Sequence, residues 1–385
     1  MGGVLVAILA VGFLFVFLVR ADQVGIDEYI LAPGSATDTA DAVLVVGADT
    51  FDPEGEIAFT TVTIRRSISV WEWFWARYDD TSELVPAEEI DGDRSREETR
   101  QVTQFQMNQS QDTATLVALN FLGFDLVPEV EGAFVLRLVQ DSPAEEVLQL
   151  GDLITEVNGS PVRSSEDLGD AIRALAPGDE VDISLRRANE DGGRDGSDED
   201  AVPVDLTIVL AEHPDIEGSG FLGVQIETPI RADAPFEVGF DVGRVRGPSA
   251  GLAFSLAIID VLSEGELTGG LKVATTGTIN LNGVVGPVGG VPQKIEAAKR
   301  SGTDLFLVPP SELLDATAAA GDDLDVRCIQ TLSDAVLVLA ELGGNGLEVA
   351  EAFGADTPEL SPNPVDPDDG FESCAEVEAE LAAIS

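Results

Sequence analysis

From Gly2 to Val19 the chain carries no charge and is apolar at every position except its glycines. A run of that length is just enough to cross a bilayer core as a helix, so it predicts a transmembrane anchor over residues 1–20. Val19-Arg20-Ala21 makes a poor cleavage site and no basic residue precedes the run, which argues against a removed signal peptide. Beyond it the pattern shortens. Ala42 to Val46 and Ile57 to Ile64 read as strands. Asp91 to Asn120 is polar and then apolar at helical spacing. Trp71, Trp73 and Trp75 alternate with Glu72 and Phe74, as either core packing or an exposed aromatic surface near a membrane. Residues 24–120 therefore read as a β-rich, anchor-proximal region.

Residues 121–212 alternate apolar runs with turn residues. Gly132-Ala133-Phe134-Val135 and Asp141-Ser142-Pro143-Ala144 are followed by Gly151-Asp152-Leu153-Ile154-Thr155-Glu156-Val157-Asn158-Gly159. Ser165 to Leu175 has helical character. The segment resembles a PDZ domain. The resemblance assigns Phe121-Leu122-Gly123-Phe124 to the carboxylate-binding loop, so Leu122, Gly123 and Phe124 are the expected peptide-binding residues and the 165–175 helix one groove wall. Such domains take an extended peptide as an added strand. Asn189 to Asp200 reads as an acidic, solvated hairpin loop. His213, the single histidine, precedes Pro214 at the next junction and reads as a linker residue.

The third region, 213–345, carries the chemistry. Gly247-Pro248-Ser249-Ala250-Gly251 leads into an apolar, helix-like run from Leu252 to Ile259. Thr276 to Gly290 reads as tight turns between short strands. Val291-Pro292-Gln293-Lys294 then opens a helix that should end near Gly302, with Pro292 suited to a first turn. A serine needs a base to remove its proton, and a buried lysine supplies one when desolvation disfavours the ammonium form. The chain has only three lysines, Lys272, Lys294 and Lys299.

Ser249 in its motif, the Thr276–Gly290 stretch and Lys294 together resemble the proteolytic domain of Lon-type serine peptidases, over roughly residues 220–343. The resemblance implies Ser249 as nucleophile, Lys294 as general base and Thr276 as the hydroxyl that orients the lysine. It also implies protein or peptide substrates and ring-like homo-oligomers as one state. A phosphate-binding Gly-Lys pair occurs nowhere in the chain, which implies a protease without its own ATPase motor. The order anchor, PDZ-like, Lon-like resembles membrane-anchored bacterial proteins with both modules outside the cytoplasm. That implies a single-pass cell-membrane protein with an extracytoplasmic globular part, although Arg20 by itself would favour the opposite orientation.

Composition narrows the partners. A net charge of −50, from 71 acidic against 21 basic residues, repels phosphates and excludes nucleic acid. An acidic excess with so few lysines also suits a high-salt habitat. Cys328 and Cys374 are too few for a four-cysteine zinc site; they form either a disulfide or two free thiols. No metal or cofactor is expected. Residues 346–385 read as an acidic, proline-bearing tail closed by a short helix from Ala375 to Ile384.

The fold class is therefore α+β: an anchor, a β-rich region, a PDZ-like domain and a Lon-type protease domain. The expected function is an ATP-independent serine endopeptidase with a Ser-Lys dyad. The rivals are a non-cleaving scaffold of the same fold and a protein that processes its own chain.

Overall fold

The computed structural model describes residues 2–92, 94–187, 201–352 and 373–384. The acidic 189–200 loop and most of the proline-bearing tail lie outside them.

The apolar N-terminal run forms one helix, Gly2–Leu18, of 17 residues. At 1.5 Å per residue it is roughly 26 Å long, short of a hydrocarbon core of about 30 Å. No helix among the described residues is long and apolar enough to cross a membrane, so the expected transmembrane anchor is not supported. The helix is nonetheless apolar and exposed, with Val6, Leu9 and Phe13 at least 60% accessible. Phe13 and Phe17 pack on Trp71, with ring centroids 5.8 and 5.5 Å apart. Trp71 belongs to the Val70–Ala76 helix, which the Ser69–Glu72 capping box starts. Trp75 is 51% accessible. The tryptophan run is thus split: Trp71 and Trp75 join a surface aromatic cluster, while half-buried Trp73 packs against the small core of Ala21, Ile30, Ile68 and Ala76.

The expected boundary at residue 120 does not separate two bodies. One six-stranded sheet runs in the order Asp325–Cys328, Leu305–Val308, Lys272–Thr275, Glu56–Arg65, Glu28–Asp38, Glu83–Pro86. Its first four strands are mutually parallel and its last three antiparallel. The anchor-proximal region therefore supplies half the strands of the protease sheet. Sequence periodicity reveals a strand but not its partner, which is why the boundary was misplaced.

Two helices cover this sheet near its centre. Gly251–Leu262, the serine helix, is buried on all sides. Its Phe254 meets Phe59 and Phe240 at 5.9 and 4.8 Å between ring centroids. Arg96–Phe121, the long helix, packs along it. Val291–Ser301, the lysine helix, packs on strands Glu28–Asp38 and Glu56–Arg65 and ends at Gly302 in the left-handed conformation.

The PDZ-like module is an insertion into this body. Its sheet runs in the order Val202–Val209, Glu180–Arg187, Leu153–Val157, Ala133–Leu138, Val224–Glu227. It has its own core of Val135, Ile154, Leu168 and Ile183. The edge strand Val224–Glu227 lies beyond the expected boundary at 212. Strand Glu237–Phe240 then pairs with Val43–Val46 and returns the chain to the protease body. Phe105 of the long helix stacks on Phe134 of the insertion at 4.0 Å.

Cys328 and Cys374 form a disulfide, which ties the C-terminal Cys374–Ile384 helix to the sheet. Constraining the unfolded chain over the 46-residue separation contributes roughly 4 kcal/mol on the loop-entropy account.

One buried acid on the serine helix works against stability. Asp260 is 2% accessible, and burial pushes its carboxyl up to about 7; Glu266 and Asp38 add to the rise, and the Leu267 N–H opposes it. The folded chain holds this proton to higher pH than the unfolded chain, so stability falls as pH rises from about 4 through about 7. Asp260→Asn keeps an acceptor for Leu267 and removes the charge. It is expected to stabilise by on the order of 1–3 kcal/mol at pH 8 and little at pH 4, read from thermal melts.

Candidate active site

Ser249 lies half-buried on the turn that enters the serine helix. Two groups fix this turn through the Ser249 carbonyl. The Gly277 N–H donates to it at 3.0 Å and the Thr276 hydroxyl at 3.3 Å. From the other side, Ser110 Oγ of the long helix donates to the Pro248 carbonyl at 3.0 Å. Gly251 is required by space: a Cβ there would lie 2.9 Å from Ile279 Cγ2 and 3.0 Å from Ser110 Oγ. The serine motif is therefore clamped between the long helix and the start of the Thr278–Gly286 hairpin.

Lys294 arrives on the first turn of the lysine helix. Gly290 caps that helix at φ +69°, and a Cβ on it would meet Val62 Cγ2 at 2.6 Å. This close approach presses the helix start against strand Glu56–Arg65. Lys294 is 3% accessible, and its Nζ donates to Thr276 Oγ1 at 2.9 Å. Burial lowers its pKa to about 8. Glu312, on the Pro310–Glu312 turn, acts in the opposite direction through its charge.

Ser249 and Lys294 line one cleft of about 830 Å³. Thr276 joins them: its hydroxyl donates to the Ser249 carbonyl and accepts from Lys294. No hydrogen bond links Ser249 Oγ directly to Lys294 Nζ in this structure. No hydrogen bond among the described residues engages the N–H groups of Ser249 or Ala250 either, which leaves both available at the positive end of the serine helix. Glu312 had no local signal in the sequence, because its relation to Lys294 comes from the fold.

The other predicted residues lie elsewhere. Leu122, Gly123 and Phe124 close the long helix: the Leu122 and Phe124 N–H groups donate to the Ala118 and Leu119 carbonyls. Leu122 is 2% accessible within the protease core, and Phe124 meets Phe236 edge-on at 5.6 Å. None of the three belongs to the inserted sheet. The tripeptide Phe-Leu-Gly occurs a second time, as Phe221-Leu222-Gly223. This copy opens the edge strand Val224–Glu227 and faces helix Ser165–Arg173 across a groove of about 380 Å³. Gly223 sits at φ +84°, and no hydrogen bond among the described residues uses the Leu222 or Gly223 N–H. His213 borders the same groove, edge-on to Phe221 at 5.4 Å, rather than serving only as a linker. The repeated tripeptide is the signal the sequence offers; its first copy lies at the expected start of the module and its second lines the groove.

No cluster of three or more metal-binding side chains occurs among the described residues.

Comparison with known proteins finds a family match in each of the two regions. Residues 242–341 match the Lon protease (S16) C-terminal proteolytic domain, and residues 120–200 match the PDZ domain family. The Lon protease of Mycolicibacterium smegmatis is 36% identical over 98 residues, 25% of this chain and 12% of that protein. Lon protease 2 of Syntrophobacter fumaroxidans is 34% identical over 140 residues, 36% of this chain and 17% of that protein. The chain thus spans under a fifth of the length of these relatives. The PDZ domain of an SdrC-like protein from Listeria monocytogenes is 29% identical over 25% of this chain and 87% of its own, with a TM-score of 0.20. The chain carries a serine-type peptidase domain of the Lon kind together with a PDZ domain.

Gly251→Ala is expected to force the serine turn and the hairpin apart. It should destabilise by about 1–3 kcal/mol in denaturant melts, with an accompanying change in chemical shifts at Ile279 and Ser110.

Proposed function

We propose that this protein is an ATP-independent serine endopeptidase in which Lys294 activates Ser249 and the inserted PDZ domain recruits substrate ends. The observation that carries the reading is the burial of the Lys294 amine beside Thr276 in the cleft that holds Ser249. Desolvation leaves a substantial neutral fraction of this amine near pH 8, and only the neutral form can accept a proton.

In the reaction, a peptide carbonyl enters the cleft beside Ser249. Lys294 Nζ takes the proton from Ser249 Oγ as the oxygen attacks the carbonyl carbon. The unengaged Ser249 and Ala250 N–H groups and the positive end of the serine helix stabilise the oxyanion. Lys294 returns the proton to the leaving amine, and an acyl-enzyme forms. Water, deprotonated by the same amine, then attacks the ester, and Lys294 passes that proton to the departing Ser249 Oγ, which releases the acid product and restores the neutral amine. Thr276 holds Nζ throughout, so it is a positioning residue.

The groove between helix Ser165–Arg173 and edge strand Val224–Glu227 receives an extended peptide as a further strand. Leu222 and Gly223 N–H groups are placed to take its terminal carboxylate. The edge of the strand facing away from Ala133–Leu138 is unpaired by any other strand of that sheet, as this mode requires.

We place the globular part outside the cytoplasm, at a membrane surface. The Cys328–Cys374 disulfide suits an oxidising compartment. The exposed apolar Gly2–Leu18 helix and the aromatic cluster beside it supply surface for lipid contact.

Ser249→Ala is expected to abolish peptide cleavage with an unchanged melting curve; residual cleavage at the wild-type rate would remove the assignment. The rate should rise with pH through an apparent pKa near 8, because Lys294 must be neutral. Glu312→Gln removes a charge that favours the ammonium form, so the profile should move to lower pH; a shift to higher pH would exclude Lys294 as the base.

A further inference from the structure

The cleft around Ser249 has a charge opposite to the rest of the molecule. Asp and Glu outnumber Lys and Arg by 71 to 21 in the chain, yet no acidic side chain among the described residues lines this cleft. Five arginines do: Arg66, Arg96, Arg100, Arg244 and Arg246.

They converge from three elements. Arg66 follows the strand Glu56–Arg65. Arg96 and Arg100 lie four residues apart in the first turns of the long helix, so they share a face, and the positive end of that helix adds to their field. Arg244 and Arg246 sit on the loop that leads directly into the serine turn. Arg246 lies three positions before Ser249, which limits their Cα atoms to about 11 Å.

Internal partners leave much of this charge unneutralised. Arg66 pairs with Asp91 at 3.1 Å through one nitrogen, while its Nε is buried without a partner. Arg100 has a long contact of 3.7 Å with Glu97 on the exposed helix surface. Arg244 and Arg246 are exposed and take part in no ion pair among the described residues. Arg246 Nη1 reaches only the Arg244 carbonyl, at 3.4 Å. Such guanidinium groups match carboxylates in a two-pronged geometry, and a half-enclosed cleft strengthens the attraction relative to open water.

We propose that this cleft selects peptide segments carrying Asp or Glu beside the scissile bond, with Arg244 and Arg246 as the specificity-determining residues. The proposal rests on the peptidase reading and adds the substrate class. The charge contrast has a second effect. The acidic exterior repels acidic polypeptides at long range, so a segment is drawn in only where it meets the positive cleft, and the field there guides its entry.

The test uses the full chain and one set of peptides with a common core. The residues flanking the core are Asp/Glu, Asn/Gln or Lys/Arg. Cleavage is followed by mass spectrometry, with kcat and KM measured separately and Ser249→Ala as background. Acidic peptides should be cleaved about tenfold more efficiently than neutral ones at low salt, mostly through KM, with the ratio shrinking as salt rises. An Arg244→Gln/Arg246→Gln double variant should reduce that ratio to about twofold, and Arg244→Glu/Arg246→Glu should turn preference toward basic peptides.

Serine-dependent cleavage without acidic preference, or a preference that neither double variant alters, overturns the proposal and leaves the peptidase reading in place. Absence of any serine-dependent cleavage overturns both. Competition by a short single-stranded oligonucleotide at lower concentrations than by acidic peptides would assign the arginines to nucleic acid and overturn the proposal as well.

Discussion

The arrangement of this protein turns on keeping one amine out of water. Lys294 is almost wholly buried and has Thr276 as its close partner. An ammonium group in that position is expensive, and the chain tolerates it by letting the pKa fall to about 8. Everything that surrounds the lysine serves this enclosure. The strand Glu56–Arg65 closes one side through Val62 against Gly290, and the Pro310–Glu312 turn closes another. Glu312 limits the effect, since its charge draws the amine back toward the protonated form.

The serine is held by a different principle. Its turn is fixed by hydrogen bonds to its backbone, from Thr276, Gly277 and Ser110 through the neighbouring carbonyls. No hydrogen bond among the described residues holds its hydroxyl. This separation of functions suits a nucleophile, which must form and break a bond while its attachment stays still. Thr276 belongs to both systems, holding the serine backbone and the lysine tip with one hydroxyl.

Local chemistry was the legible part of the sequence. The helices carrying Ser249 and Lys294 show in the apolar run from Leu252 and in Pro292 and Gly302, which mark one helix's first turn and its end. The buried hydroxyl between them appeared as Thr276 through its place in the motif. Pairing over long distances was not legible. Strands before residue 90 join strands after residue 270, and no periodicity records that. The groove strand of the inserted module comes at its C-terminal end, so Phe221, Leu222 and Gly223 line the groove in place of the expected Leu122, Gly123 and Phe124. The N-terminal run was readable as a helix, but its length in three dimensions fell short of a span. The arginines of the cleft are scattered over 180 residues and gain meaning only from their convergence.

The insertion also dictates the order in which the molecule can be assembled. Strand Glu56–Arg65 waits for Lys272–Thr275, more than 200 residues later, and Leu305–Val308 and Asp325–Cys328 follow later still. The inserted module builds its own core from within its own stretch and otherwise leans on Phe105, which precedes it, so it can close while the chain is still emerging from the ribosome. The hydrolytic centre comes later, because Lys294 and the strands Leu305–Val308 and Asp325–Cys328 all follow the inserted module. Between Glu227 and Cys328 a growing chain therefore carries a finished recognition module and an unfinished blade.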